Sequence, residues 1–371
     1  MRRLQESLIR KDLEKKIVFL VGPRQVGKTW LAQRIGESFE RSVYLNYDRL
    51  EDRRIIEKEA WLDSTELLIL DELHKMPAWK NHLKGIYDTR KKSMRILVTG
   101  SARLDAFRQV GDALSGRFFL HRLLPFSLSE LEGTELAGQL DRLMARGGFP
   151  EPLLAEDPVD VDRWRMLYVD GLVRSEVLDF DRIHDLGAMQ TVLQLLQRSV
   201  GSTVSYASIA RDVAISPNTV KKYIQILEAL FIVFRVLPHS RNVARSLLKE
   251  PKIYFYDIGM VKKEGGARFE NLMALSLLKH VRGRTDAQGQ RVELRYLRTK
   301  QKKEVDFCLV NENEPELMLE AKLSESQIDS SLIYFHERLG IPAIQVVKNL
   351  KRERQEGNIQ VLKAERYLRG L

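Results

Sequence analysis

The chain has 371 residues, which predicts two or three domains at the usual size of roughly 100 to 200 residues each. Hydrophobic residues make up 44% of it, and 22 Gly and 11 Pro are ordinary counts, so disordered, collagen-like and low-complexity classes are disfavoured. Lys and Arg outnumber Asp and Glu by 61 to 51, a net charge of +10 that favours a polyanionic partner, although an anionic membrane surface would also fit.

Cysteine content and the early apolar segments bear on the compartment. Cys308 is the single cysteine, which excludes a disulfide framework within the chain and a zinc cluster built from cysteines. The longest early apolar run, Ile17–Val21, is far shorter than the core of a signal peptide or a membrane span. We therefore expect a soluble, cytoplasmic protein that does not enter a membrane.

Short β-rich runs alternate with helical patterns through the first third of the chain. These runs are Ile17–Val21, Val43–Leu45, Leu67–Leu70 and Ile96–Val98. Each is apolar at successive positions, which is typical of strands covered on both faces by crossover helices. The pattern predicts a parallel α/β sheet.

The first of these runs leads into a glycine-containing loop and then into a helical pattern. The loop consists of Gly22, Pro23, Arg24, Gln25, Val26, Gly27, Lys28 and Thr29 and has the spacing of a Walker A phosphate-binding loop. Gly27 allows backbone amides to turn toward phosphates, and Lys28 is placed to contact the β and γ groups. Thr29 is expected to ligate Mg²⁺. The loop predicts ATP and Mg²⁺ as ligands, against the alternative of a plain glycine turn.

Two acidic residues, Asp71 and Glu72, end the apolar run Leu67–Leu70. In a P-loop protein, carboxylates at such a strand end handle Mg²⁺ and the attacking water. We expect Asp71 to hold the metal and Glu72 to act as the general base that polarises the water. A solvated acidic strand end is the alternative.

Two later segments add candidates for the same site. Thr99 and Ser101 follow the run Ile96–Val98 and are candidate sensors that orient the water or detect the γ-phosphate. Arg117 lies on a short turn, and a guanidinium that reached a neighbouring subunit's nucleotide would stabilise the charge of the transition state. A plain surface arginine fits Arg117 equally well.

These motifs carry a family resemblance. The chain resembles the AAA-type ATPases of bacteria and archaea that bear a C-terminal endonuclease-like domain of unknown function. The resemblance spans nearly every segment and rests on Gly22–Thr29, Leu70–Glu72, Thr99–Ser101, Ser115–Arg117, Gly147–Pro150 and the C-terminal stretch described below. It implies an ATPase core that often works as an oligomer, with Arg117 similar to the family's arginine-finger candidate.

The middle of the chain predicts helices and a DNA-binding module. Residues 136–200 have a helical pattern typical of a lid or linker. Two helical segments follow, Tyr206–Val213 and Pro217–Phe231, with Ser216 as the N-cap of the second. This helix-turn-helix spacing, followed by a basic segment that fits a β-wing, predicts a winged helix.

The candidate DNA contacts lie on the second of these helices and in the wing. They are Asn218, Thr219, Lys221, Lys222, Arg241 and Arg245, and the basic segment of the wing also includes Arg235, His239, Lys249 and Lys252. Ammonium and guanidinium groups meet phosphates, and amide and hydroxyl groups meet base edges. Winged helices also dock proteins or separate domains, so these two alternatives stay open.

The C-terminal part has the residue order of the PD-(D/E)xK nuclease superfamily. Glu270 lies on a predicted helix, Asp306 in a β-run, and Glu320 and Lys322 at the end of the next run, before a basic tail. Asp306 and Glu320 are expected to hold a second Mg²⁺ or Mn²⁺, with Glu270 adding a carboxylate and Lys322 positioning water. The pattern is short, so an idle fold that only binds is the alternative.

The predicted fold class is therefore α/β throughout. It comprises a P-loop parallel-sheet ATPase domain (1–135), a helical linker (136–200), a winged helix-turn-helix (201–260) and a restriction-endonuclease-like domain (261–371). The predicted function is ATP hydrolysis coupled to DNA binding or remodelling by an oligomer. Two alternatives stay open, namely a nucleotide-gated switch that binds a protein partner in signalling or defence, and an ATP-regulated, metal-dependent nuclease.

Overall fold

The structure is a computed structural model. It describes residues 3–100, 114–177, 185–240, 250–263, 265–324 and 327–371, with the backbone alone over 173–177. The chain divides into two compact units, Met1–Leu124 and Pro125–Leu371. None of the described helices combines the length and the apolar character needed to cross a bilayer.

The first unit is a parallel sheet with helices between its strands. Its strands are β1 (Ile17–Val21), β2 (Ser42–Asn46), β3 (Leu67–Asp71), β4 (Arg95–Gly100) and β5 (Phe118–Arg122). Its helices are α1 (Glu6–Leu13), α2 (Lys28–Gly36), α3 (Leu50–Lys58) and α4 (Trp79–Thr89), with a 3-10 turn at Leu73–Lys75. Over the described residues the strand order is β2-β3-β4-β1-β5, and all neighbours are parallel. The four predicted strands are confirmed, and β5 is an addition.

Strand register brings the carboxyl ends of β1, β4 and β3 to one edge of this sheet. Val21 pairs with Gly100, and Asp71 pairs with Thr99. Parallel strands bind ligands at the edge where their carboxyl ends meet. β1, which leads into the phosphate loop, and β3, which ends at Asp71, therefore flank β4. Thr99 on β4 lies between them.

Buried contacts fix the outer strand β5 in this unit. The Phe19 ring packs edge-on against Phe118 and Trp79, with ring centroids 5.0 and 5.9 Å away. His121 Nε2 lies 2.9 Å from Asp12 Oδ2, and the His121 side chain is fully buried. These contacts connect β5 to β1 and α1, which positions the strand beside the phosphate loop.

The second unit begins with helices and ends in a mixed sheet. Its helices are α5 (Leu140–Arg146), α6 (Pro150–Leu154), α7 (Pro158–Val177), α8 (Leu186–Ser199), α9 (Tyr206–Val213), α10 (Pro217–Ala229), α11 (Gly266–Gln288), α12 (Ser330–Leu339) and α13 (Ala364–Arg369), with 3-10 turns at Leu128–Leu131 and Ile258–Met260. Its strands are β6 (Val233–Pro238), β7 (Lys252–Phe255), β8 (Val292–Arg298), β9 (Glu304–Asn311), β10 (Glu314–Ser324), β11 (Ala343–Asn349), β12 (Arg354–Glu356) and β13 (Ile359–Lys363). In the described part of this unit the strand order is β12-β13-β11-β10-β9-β8-β6-β7.

The region after β10 is not the basic tail that the sequence analysis expected. It folds as α12, β11, β12, β13 and α13. The reason is the alternation of apolar residues among its charges, which buries Ile359 and Val361 on one face of β13 and Leu368 on α13. The charged residues between them cover the outside.

The two short helices predicted after residue 201 are present as α9 and α10. Ser216 is the N-cap of α10, and its hydroxyl accepts a hydrogen bond from the Thr219 backbone N–H at 3.0 Å. The helix ends at Ala229, before the expected Phe231, because Phe231 has a left-handed φ of 54°. β6 and β7 then pair antiparallel, and β6 also pairs with β8, so the strands of the predicted wing are part of the C-terminal sheet.

The glycine pair Gly147 and Gly148 marks a close approach of backbones in the second unit. A Cβ on Gly147, which has φ +78°, would lie 2.3 Å from Asp257 Oδ1. A Cβ on Gly148 would lie 2.4 Å from the carbonyl oxygen of Phe126. Phe149, the next residue, is fully buried. Packing at this corner therefore explains why glycines stand here, without a role in chemistry.

Candidate nucleotide site

The phosphate loop joins β1 to α2 through backbone conformations that favour glycine. Gly22 and Gly27 have φ of 155° and 96°. A Cβ on Gly22 would lie 2.1 Å from the carbonyl oxygen of Leu123, so a larger residue does not fit there. Gln25 adopts a left-handed φ of 58° between them. Such alternations turn backbone amides toward one side of a loop, as an anion site requires.

Lys28 is the first residue of α2, and its side chain lies against the loop. Its Nζ donates hydrogen bonds to the carbonyl oxygens of Gly22, at 3.0 Å, and Pro23, at 2.7 Å. The side chain is buried, and the residue stands at the positive end of the α2 helix dipole. An ammonium group in this position fits the phosphates of a nucleotide.

Asp71 is the acceptor at the centre of a set of hydroxyl groups. Thr29 Oγ1 and the Tyr44 hydroxyl donate to its Oδ2 at 2.9 and 2.7 Å, and Thr99 Oγ1 donates to its Oδ1. The residue is 4% exposed. Three hydroxyl donors hold the carboxylate in one orientation. The structure thus brings Thr29 and Asp71 together, and their oxygens form the kind of donor set that Mg²⁺ prefers.

Glu72 follows Asp71 in a left-handed conformation with φ 56°, unusual for a residue other than glycine. Its backbone N–H donates to the Thr99 carbonyl at 3.1 Å, and its Oε2 lies 3.5 Å from Lys75 Nζ. Burial raises the pKa of Glu72, Lys75 opposes the rise, and the charge of Asp71 adds to it. A carboxylate with a raised pKa is a stronger base, which suits proton removal from water.

Sequence reasoning missed two residues of this site. Tyr44 lies in a strand run like any core aromatic, and burial and its hydrogen bond to Asp71 raise the pKa of its hydroxyl. Arg3 is 2% exposed, and its guanidinium donates to the carbonyl oxygens of Leu124, at 3.2 Å, and Val26, within the loop. No local pattern marks either residue, because their partners lie far away along the chain.

Arg117 has a partner within its own unit. Its Nε and Nη2 donate to Oδ1 and Oδ2 of Asp88 at 3.0 and 3.3 Å. This hydrogen-bonded guanidinium lowers the pKa of Asp88. Arg117 is about one-third exposed, so solvent screens the pair. Its role as a finger stays a prediction.

Four residues named in the sequence analysis lie outside the described residues. They are Ser101, Arg241, Arg245 and Lys249. Thr99, the other sensor candidate, is fully buried and directs its hydroxyl to Asp71. In this geometry Thr99 orients the carboxylate.

The described DNA-contact candidates differ in accessibility. Asn218 and Lys221 are exposed on α10, whereas Lys222 is half-buried. The Thr219 hydroxyl lies 2.8 Å from the Ser216 hydroxyl, so it takes part in the helix cap. Asn218 and Lys221 are three positions apart and therefore lie on one face of the helix.

The four nuclease candidates lie on α11, β9 and β10, and hydrogen bonds connect those on β9 and β10. The Asp306 backbone N–H donates to Glu320 Oε2 at 3.2 Å, and Lys322 Nζ donates to Glu320 Oε1 at 2.8 Å. Burial and the Asp306 charge raise the pKa of Glu320 to about 8, and the same two causes raise the pKa of Glu270. Hydrogen bonds thus bring Asp306, Glu320 and Lys322 together, and their nuclease role stays a prediction.

The prediction that Lys252 belongs to an exposed basic wing is wrong. The residue is not an exposed cation but is fully buried, with its Nζ 3.1 Å from Glu270, 2.9 Å from Glu304 and 2.9 Å from Asp306. The reason is its position at the start of β7, paired with Val236 inside the sheet. Among the described residues, no group of three or more Asp, Glu, His or Cys side chains is arranged to hold a metal ion. These residues do not fit the second Mg²⁺ or Mn²⁺ that the sequence predicted.

Three sequence families match successive parts of the chain. Residues 14–132 match the family described as AAA domain. The first unit is thus similar to AAA domains over this region. The AAA domain contains the loop, Asp71, Glu72 and Arg117. Residues 137–267 and 265–367 match two domains of unknown function, DUF8612 and DUF4143.

Relatives of the whole chain are distant. An uncharacterized protein of Mycobacterium tuberculosis is 26% identical over 264 residues, which cover 71% of this chain and 59% of that protein, so the chain spans less than two-thirds of its length. An uncharacterized protein of Methanocaldococcus jannaschii is 24% identical over 364 residues, which cover 86% of this chain and 79% of that protein. The Thermotoga maritima RuvB Holliday junction branch migration motor is 17% identical over 62% of this chain and 87% of that one, with a TM-score of 0.33.

Proposed function

We propose that the protein hydrolyses ATP at its AAA domain and couples this turnover to DNA contact through α9 and α10. The observation that carries the ATPase proposal is the hydrogen bonding of Thr29 and Thr99 to Asp71, at the edge where the phosphate loop begins. A strand end that served only solubility would leave its carboxylate in water. Here the carboxylate is buried and held by hydroxyl groups from three other elements of the unit, α2, β2 and β4.

Each residue of the site has a role in breaking the β–γ phosphoanhydride bond. Lys28 and the loop amides hold the phosphates, while Thr29 and Asp71 provide oxygen ligands for Mg²⁺. Bound Mg²⁺ neutralises charge on the phosphate oxygens. Glu72 accepts a proton from water as the water oxygen bonds to the γ-phosphorus and the bridging oxygen leaves with ADP. Tyr44 and Thr99 keep Asp71 in position throughout.

Arg117 completes a neighbouring subunit's site in this proposal. Its guanidinium leaves the exposed pair with Asp88 at little cost, since solvent screens the attraction between exposed charges. Mixing Lys28→Ala protein with Arg117→Ala protein should then restore part of the ATPase rate, because a mixed assembly contains intact Lys28 beside intact Arg117. Absence of rescue between two folded variants that associate would leave Arg117 with a structural role.

DNA contact is proposed from the exposed face of α10. Asn218 and Lys221 lie on this face, and the chain carries a net charge of +10. Affinity for duplex DNA should fall steeply as salt rises, because bound cations release counterions from phosphates. Lys221→Ala should reduce the slope of log affinity against log salt by about 1. The exposed residue Lys58 provides the control, since Lys58→Ala should leave the slope unchanged.

The ATPase rate against DNA of different forms tests the coupling. We expect single-stranded, duplex or branched DNA to stimulate phosphate release by wild-type protein, and Lys221→Ala to weaken that stimulation without changing the basal rate. Slow turnover that none of these DNA forms changes would instead favour a nucleotide-gated switch that binds a protein. Binding of DNA without dependence on salt would also contradict the proposal.

A further inference from the structure

A buried ammonium group lies at the centre of the acidic cluster in the second unit. Lys252 Nζ is 3.1 Å from Glu270 Oε1, 2.9 Å from Glu304 Oε1 and 2.9 Å from Asp306 Oδ1. The lysine comes from β7, Glu270 from α11, and the other two acids from β9. Carboxylates from two elements thus converge on one cation supplied by a third.

Three carboxylates surround the ammonium group. Lys252 Nζ donates hydrogen bonds to Glu270 Oε1 and Asp306 Oδ1 and forms an ion pair with Glu304. Burial would lower the pKa of Lys252, but Tyr254, Asp306, Glu270 and Glu304 together raise it well above its usual value. A buried charge is tolerated only with such pairing, so the cluster and the lysine depend on each other.

The other carboxylate oxygens of Asp306 and Glu320 are also engaged. Asp306 Oδ2 accepts from the Ala321 backbone N–H at 3.2 Å, and Glu320 Oε2 accepts from the Asp306 backbone N–H at 3.2 Å. Glu320 Oε1 accepts from Lys322, whose Nζ also donates to Asp329 Oδ2 at 2.9 Å. Both oxygens of both acids expected to ligate a metal therefore have protein donors.

We propose that Lys252 is a built-in cation that takes the place of a divalent metal in this nuclease-like constellation. The C-terminal domain keeps its acidic cluster without metal and does not cut DNA. Its acids act as partners of Lys252 and Lys322 that connect β7, α11, β9 and β10. Any contact of this domain with a nucleic acid or a protein then involves its surface residues. The acidic cluster does not cleave phosphodiester bonds.

Titration of nucleotide-free, full-length protein with Mn²⁺ tests this directly. Wild-type protein should show no Mn²⁺ binding that depends on Asp306. Lys252→Met keeps an unbranched side chain of similar length but removes the charge, which leaves three converging carboxylates. This variant should gain one Mn²⁺ site, tighter than any in wild-type protein by about tenfold or more, since affinity for such cations follows ligand charge. The double variant Lys252→Met, Asp306→Asn should lose it.

Controls separate a local effect from a general one. Lys300→Met, which removes an exposed lysine of the same domain, should gain no Mn²⁺ site. A folded Lys252→Met protein without increased Mn²⁺ affinity would overturn the proposal. If that variant does not fold, Mn²⁺ binding is compared between wild type and Asp306→Asn. Mn²⁺ binding by wild type that is lost in Asp306→Asn would contradict the proposal that Lys252 occupies the cation site. Plasmid nicking by wild type that Lys322→Ala abolishes would contradict it as well.

Discussion

Replacing Glu72 with Gln should reduce phosphate release from Mg-ATP by about 10²- to 10⁴-fold while ATP remains bound. The amide has nearly the same shape as the carboxylate but does not accept the proton of the attacking water. Glu72 also has a raised pKa caused mainly by burial, which makes it a stronger base than an ordinary glutamate carboxylate. Rapid mixing with a phosphate sensor gives the rate, and calorimetry gives the affinity for ATP.

The matched control for this variant is Glu51→Gln. Glu51 is an exposed glutamate of the same unit. Its substitution by Gln therefore removes one negative charge at a position outside the nucleotide site. Turnover by the control should equal that of wild type. If Glu72→Gln released phosphate at the wild-type rate, water activation would have to be assigned elsewhere, and the role of Glu72 would be wrong.

Lys28→Ala should weaken nucleotide binding by about 1.5–3 kcal/mol, which is tenfold or more in dissociation constant, and should abolish turnover. The variant loses charge-assisted hydrogen bonds to the phosphates. It also frees the carbonyl oxygens of Gly22 and Pro23, which accept from Lys28 in the structure. Lys28→Met retains most of the stem and separates the loss of charge from the loss of packing.

Calorimetry with ADP and ATP measures the effect, and a melting curve confirms that each variant folds. Lys11→Ala removes an exposed lysine of α1 and should bind nucleotide like wild type. Undiminished ATP affinity in folded Lys28→Ala protein would show that the loop does not hold the phosphates as described.

Local sequence was sufficient for the phosphate loop and the acidic pair. The loop spacing depends on residues that are neighbours in the chain, and the buried strands show as short apolar runs. Their meeting at one edge follows from parallel pairing, which the alternation of strands and helices indicated. The hydroxyl contacts of Thr29 and Thr99 with Asp71 are the structural consequence.

Long-range contacts were the part that sequence could not provide. Arg3 reaches Val26 and Leu124, and Tyr44 reaches Asp71, yet neither residue belongs to a motif. The sequence predicts an exposed wing for Lys252 because the segment 235–252 is rich in basic residues. Its actual environment is set by acids 18 and 54 positions later, which only the fold brings near.

Phosphate release by wild-type protein tests the central claim most directly. Wild-type protein mixed with ATP should release orthophosphate continuously when Mg²⁺ is present. The release should stop when a chelator removes the metal. The Lys28→Ala variant should release no phosphate under the same conditions. Protein that is folded, yet neither releases phosphate nor produces binding heat with ATP and Mg²⁺, would contradict it.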